Sequence, residues 1–155
     1  MAAPALLLAG CVSSGGSDTV KPLASDISTT SFVSEIDLRT PPANASPGFK
    51  EVFVSKVSEK LKGCAKGTRP LKLVVDITEF KRANPAMTML VGSSNVIHGS
   101  AKLQDPATNA VVADYDINRS FGAGGLLGVA AMSQAEEQMS SAFGDELCKR
   151  AFIRR

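Results

Sequence analysis

The chain has 155 residues, a formal net charge of +2, and 17 basic against 15 acidic side chains. That length supports one domain with a real core, and the near balance of interspersed charges argues against a nucleic-acid surface. With no Trp and a single Tyr, stacking platforms for bases or sugars are scarce.

In chain order, the first stretch is apolar and small from Pro4 to Gly10 and runs into a thiol as Leu6-Leu7-Leu8-Ala9-Gly10-Cys11. The last four of these, Leu8-Ala9-Gly10-Cys11, resemble the lipobox of bacterial lipoproteins. The resemblance implies that residues 1–11 are a lipoprotein signal segment ending at an acylated Cys11, and that the chain is held to the membrane by an N-terminal lipid. The segment departs from a secretory signal in having no Lys or Arg before Cys11, where a basic n-region is usual. Its apolar run falls well short of the ~18 residues of a membrane-spanning helix. Val12 follows the Cys where an Asp retains enterobacterial lipoproteins in the inner membrane, which implies the outer membrane, with the domain facing the periplasm. Residues 12–28, opening Val12-Ser13-Ser14-Gly15-Gly16-Ser17, are small and polar and read as a flexible tether. A single domain is expected over residues 29–155.

Residues 29–38 alternate, with Phe32, Ile36 and Leu38 on one side and Glu35, Asp37 and Arg39 on the other, as in a half-buried strand. Pro41-Pro42-Ala43-Asn44-Ala45-Ser46-Pro47-Gly48 is a loop by composition. Over residues 49–63 the period changes: Phe49, Val52, Phe53, Val57, Leu61 and Cys64 recur at three and four, the spacing of one helix face. Residues 71–82 read as a strand, with Leu71, Leu73, Val75 and Ile77 facing one way and Lys72, Val74, Asp76, Thr78 and Phe80 the other. Residues 83–93 form a loop or a short helical turn containing Asn84-Pro85 and the apolar Met87, Met89, Leu90 and Val91. Residues 95–104 and 111–121 alternate again around the turn Asp105-Pro106-Ala107-Thr108-Asn109, and predict a hairpin. After Gly122-Ala123-Gly124-Gly125-Leu126-Leu127-Gly128, a helix is expected over 131–152, with Met132, Ala135, Met139, Ala142, Phe143 and Leu147 on one face.

Every element then has one apolar face. The fold class expected is α+β: a two-layer sandwich with a four-stranded, mostly antiparallel sheet in the order β-α-β-β-β-α and two helices on one face. If the first two strands are parallel neighbours, the two helices run the same way and their C-termini meet at one end. With Cys11 assigned to lipid, Cys64 and Cys148 remain, each near the end of one of these helices. A disulfide between them is expected in an oxidising compartment; two buried thiols are the alternative.

The strand at Leu71, the pattern Gly99-x-Ala101-x-Leu103-x-Asp105 and the trailing Gly124-Gly125-Leu126-Leu127-Gly128 resemble a group of uncharacterised proteobacterial lipoproteins. The resemblance implies a lipid-anchored envelope domain and supplies no catalytic residues. The strand order is also similar to that of the lipoprotein of the outer-membrane lipopolysaccharide translocon, whose aromatic and Gly signature after the lipidated Cys is missing here.

The candidates for chemistry are weak. In Gly122-x-Gly124-x-x-Leu127 the third glycine of a dinucleotide fingerprint is absent, and Gly128 is followed by Val129-Ala130 rather than Lys-Ser/Thr, so no nucleotide is expected. His98, the single histidine, has no Cys, His or carboxylate at ligand spacing in sequence, so no metal and no other cofactor is expected. Asp76, Asp114 and Asp116 read as members of a wet sheet face. The expected function is therefore non-catalytic: an accessory or adaptor acting through contacts with an envelope protein. A lipid or lipopolysaccharide transport component is the alternative. The expected contact surface is Met87, Met89, Leu90 and Val91 together with Leu126 and Leu127, two apolar loops at the end of the sheet opposite the cysteines and distal to the tether; the alternative is that these loops fold over the open end of the core.

Overall fold

Alternating apolar residues build the sheet and the three-four repeats build the layer that covers it. The computed structural model describes residues 16–123 and 134–152. Among these, the strands are β1 (Asp18–Lys21), β2 (Ser31–Leu38), β3 (Arg69–Lys81), β4 (Ser93–Gln104) and β5 (Val111–Ala123). The helices are α1 (Ser25–Thr30), α2 (Phe49–Lys62), α3 (Pro85–Leu90) and α4 (Ala135–Ala151). The five strands form one sheet in the order β1-β5-β4-β3-β2. β2 runs parallel to β3, and the other neighbours are antiparallel.

The mixed α+β architecture agrees with expectation, but the expected four strands are five. The extra strand comes from the stretch read as a tether. All four residues of β1 are exposed, so no alternation marks it in the sequence. It is held instead by the edge of β5, where Asp18 pairs with Asp116 and Thr19 with Tyr115. The chain then crosses the end of the sheet through α1 to reach β2 at the opposite edge. Leu23 is buried and Ile27 packs against the core on the way, and the Leu23 amide donates to the Tyr115 hydroxyl at 2.9 Å.

Two bulges move side chains between faces. One lies between Val33 and Glu35 in β2. It puts Val33, with Ile36 and Leu38, on the core face and turns Phe32 to the other side, against the alternation expected for it. A second lies between Ile77 and Glu79 in β3 and brings Phe80 into the core, where its ring centroid is 4.8 Å from that of Phe49. An inserted residue inverts the face of everything beyond it, so a strict period of two fails at these points.

α2 contributes Phe49, Phe53, Val57 and Leu61 to the core, and α4 contributes Ala135, Met139, Phe143 and Leu147. The two helices lie side by side on one face of the sheet, with Phe53 and Phe143 edge to face at 5.3 Å. Gly144 allows this approach: a Cβ there would stand 3.0 Å from the Cβ of Lys60 and 3.1 Å from the Cα of Val57. Cys64 and Cys148 are joined by a disulfide with Cα atoms 6.1 Å apart. It clasps the C-terminal ends of α2 and α4, the end to which the topology assigns both. No helix among the described residues is long and apolar enough to cross a membrane.

Candidate functional site

The connection from β3 to β4 projects from the end of the sheet opposite the disulfide. Asn84 starts α3 by accepting hydrogen bonds from the amides of Ala86 at 2.9 Å and Met87 at 3.3 Å. Pro85 fits the first turn because its missing N–H has no helical partner there. The sequence reads Asn84-Pro85 as punctuation; it is the cap of a short helix. The base of the turn is pinned from β4: Asn95 accepts from the Ala83 amide at 2.8 Å, and Ser93 accepts from the Asn84 amide at 3.2 Å. The Val91 amide donates to the Met87 carbonyl at 2.9 Å. Gly92, at φ +81°, then turns the chain into β4; a side chain in that left-handed conformation is disfavoured.

This frame holds out an apolar knob. Met87, Met89, Leu90 and Val91 are 47%, 58%, 80% and 73% exposed. Four neighbouring apolar side chains so exposed form one apolar patch, whereas scattered ones are ordinary. Leu126 and Leu127, the other half of the expected surface, lie outside the described residues, as does Cys11. The cations at the base of the knob were not singled out in the sequence. From Phe80 to Gln104 the chain carries Lys81, Arg82 and Lys102 and no carboxylate, and that asymmetry was the available signal. Arg82 faces Glu136 at 3.7 Å; Glu136 also accepts from the Ser46 amide at 2.9 Å and the Ser46 hydroxyl at 2.6 Å. These bonds tie the start of α4 and the β2–α2 loop to the base of the knob.

The edge strand corrects the expectation that residues 12–28 are a free tether, because residues 18–21 of that stretch pair with β5. The Ser17 hydroxyl accepts from the Asn118 amide at 2.9 Å and donates to the Asn118 carbonyl at 3.0 Å. Because β5 runs toward the knob, β1 runs away from it, from Ser17 at the level of Asn118 to Lys21 beside Asp114. The pairing fixes a direction that a free tether lacks.

The uncovered face of the sheet carries the other candidates. His98 Nε2 is 2.7 Å from Asp116 Oδ1, across two strands, a pairing invisible at a sequence separation of 18. Arg39 lies 3.9 Å from Asp76, and Lys72 bridges Glu35 at 2.9 Å and Asp37 at 3.5 Å. The hydrogen bond to Glu35, with the charges of Glu35 and Asp37 and against some desolvation, holds the Lys72 ammonium above its ordinary range. Among the described residues no three His, Cys, Asp or Glu side chains are gathered to hold a metal ion. Open clefts lie among the described residues. One of about 370 Å³ lies along α4 between Lys56 and Phe121. One of about 510 Å³ lies between Thr40–Asn44 and the last part of β3. The described residues thus show a wet, ion-paired sheet face and one apolar prominence.

No protein-family model matches the chain, and no curated protein matches it by sequence. The chain is similar to several solved structures. A Xanthomonas campestris protein assigned to the DUF330 family is 16% identical, with a TM-score of 0.52 over 84% of this chain and 91% of that one. A predicted lipoprotein from Caulobacter crescentus CB15 is 14% identical, with a TM-score of 0.50 over 74% of this chain and 85% of that one. A PelC dodecamer from Paraburkholderia phytofirmans is 14% identical and has a TM-score of 0.48 over 84% of this chain and 97% of that one.

Proposed function

We propose that this protein is a lipid-anchored accessory of the cell envelope, tethered through Cys11, that works by contact with another envelope component rather than by catalysis. The α3 knob is its contact surface. The observation that carries the reading is the knob itself: a capped, hydrogen-bonded turn that presents Met87, Met89, Leu90 and Val91 to solvent. A loop with no role in contact gains by folding such side chains inward, since burying one is worth roughly 1.5–3 kcal/mol. The lipobox resemblance at Leu8-Ala9-Gly10-Cys11 supports the anchor, and the predicted lipoprotein of the same fold is consistent with it.

Photo-cross-linking in intact cells tests the reading. The full chain is expressed with a cross-linking side chain at position 90 or, as control, at Ser100 on the open sheet face. Position 90 should yield a defined adduct that position 100 does not, and metabolic acyl label should vanish in Cys11→Ser. Equal or absent adducts at the two positions would end the contact reading, and acylation surviving in Cys11→Ser would end the anchor.

A further inference from the structure

We infer that the partner of the α3 knob is the anionic bilayer in which the protein is anchored, so that the domain touches the membrane twice, through lipid and through knob. The inference rests on the anchored reading above and names the partner of the same surface.

Three observations carry it. The first is the reach of the chain outside the described residues. The described chain begins with Gly16 and Ser17, and Ser17 is held at the level of Asn118 on β5. From the level of Asn118 to the end of β5 at Ala123 is five residues, about 17 Å at the rise of an antiparallel strand. Cys11 lies six residues before Ser17, and six residues reach about 20 Å when extended. An acyl group on Cys11 can therefore lie level with the end of the sheet from which the knob projects. The short link also restrains how far the domain can lift or turn away.

The second observation is shape. The knob is convex, a single turn of helix between two strand ends, with its apolar side chains outermost. A convex apolar tip can sink into the boundary between headgroups and acyl chains, as interfacial helices do on their apolar side. The third is charge. Lys81 and Arg82 stand at the base of the knob, in a stretch from Phe80 to Gln104 without a carboxylate. Lys81 is exposed and Arg82 is half-exposed beside Glu136. Cations set back from an apolar tip lie at headgroup depth when the tip is inserted, and there they attract anionic lipid. One acyl chain alone binds a membrane reversibly, and a second apolar or basic signal makes the attachment stable. The knob supplies that second signal.

The chain has no Trp, which permits a direct test. Acylated full-length Leu90→Trp is reconstituted in vesicles of phosphatidylethanolamine and phosphatidylglycerol. Its emission should shift to the blue and be quenched by lipids brominated near the headgroup, while Ser100→Trp in the same vesicles should emit as in water. Flotation of full-length Cys11→Ser on the same vesicles removes the acyl chain and any bias from the added indole. Leu90→Ser/Val91→Ser in that background should weaken recovery about tenfold or more with an unchanged melt. Lys81→Gln/Arg82→Gln should weaken it by up to about 25-fold, about fivefold per cation, and blunt its dependence on salt. A water-like, unquenched Leu90→Trp in the anchored protein overturns the inference, as does flotation indifferent to the knob. If the cross-linker at position 90 then captures a protein, the contact reading stands with a protein partner. If it captures nothing, both fall.

Discussion

Tyr115 shows how much one buried polar atom can tie together. Its side chain is fully buried on β5, and its hydroxyl accepts the Leu23 amide at the point where the chain leaves the edge strand and crosses toward β2. Burial pushes the phenol above its ordinary range, opposed in part by the Leu23 amide and the charge of Arg150. Tyr115→Phe should therefore lose about 1–3 kcal/mol near neutral pH, because the Leu23 N–H is left buried and unpaired. Alkali gives the sign of the linkage. Above about pH 10 the unfolded chain releases the phenolic proton while the folded chain keeps it, so the stability that Tyr115 confers is intact below that pH and falls above it. Urea melts of the two proteins should converge as pH rises past 10. A gap that stays constant would mean that the phenol is not shielded.

At the scale of elements, the approach of α2 and α4 depends on the bare backbone of Gly144. Gly144→Ala asks Val57 and Lys60 to give by a few tenths of an ångström and returns up to about 1 kcal/mol of helix propensity, so it should be nearly neutral. Gly144→Val adds two methyl groups with nowhere to go and should cost about 1–3 kcal/mol, the usual range for overpacking; equal melts for the Val and wild-type chains would show that the helices are free to part. The apolar rhythm of α2 and α4 was legible because Phe49, Phe53, Val57 and Leu61 of one and Ala135, Met139, Phe143 and Leu147 of the other all pack into the core, while Val52 and Ala142, which the same rhythm selects, stay half-buried. Phe32 and Phe80 were misread because a bulge leaves no trace in a pattern of alternation. β1 was missed because an edge strand held by backbone pairing and by the Ser17 hydroxyl needs no apolar side chains. Leu23 and Ile27, four residues apart in a stretch rich in Ser, Gly and Asp, were the signal that part of the supposed tether belongs to the domain. The exposure of the knob, by contrast, could not be derived: Met89 and Leu90 look the same in sequence whether a loop folds them over the core or a capped turn holds them away from it.

At the scale of the molecule, the two ends of the sheet are unlike. One carries the α3 knob. The other is closed by the α1 crossing and by the Cys64–Cys148 bond, whose cysteines are 84 residues apart. A loop of that length gives a stabilisation of about 4–5 kcal/mol in the chain-entropy account, an upper figure. The Cys64→Ala/Cys148→Ala double variant should show a denaturation midpoint lowered accordingly and insensitive to reductant, whereas the midpoint of the wild-type chain should fall when reductant is added. The position of the bond along the chain has a further consequence. Cys64 precedes β3, β4 and β5, while Cys148 lies in α4, after all of them. A chain that emerges N-terminus first can lay out the whole sheet before the second sulfur arrives. Closure is therefore an event of late assembly, and the redox state acts as a time stamp: molecules caught by a thiol-alkylating reagent during a short pulse of synthesis are those in which α4 has not yet docked on α2.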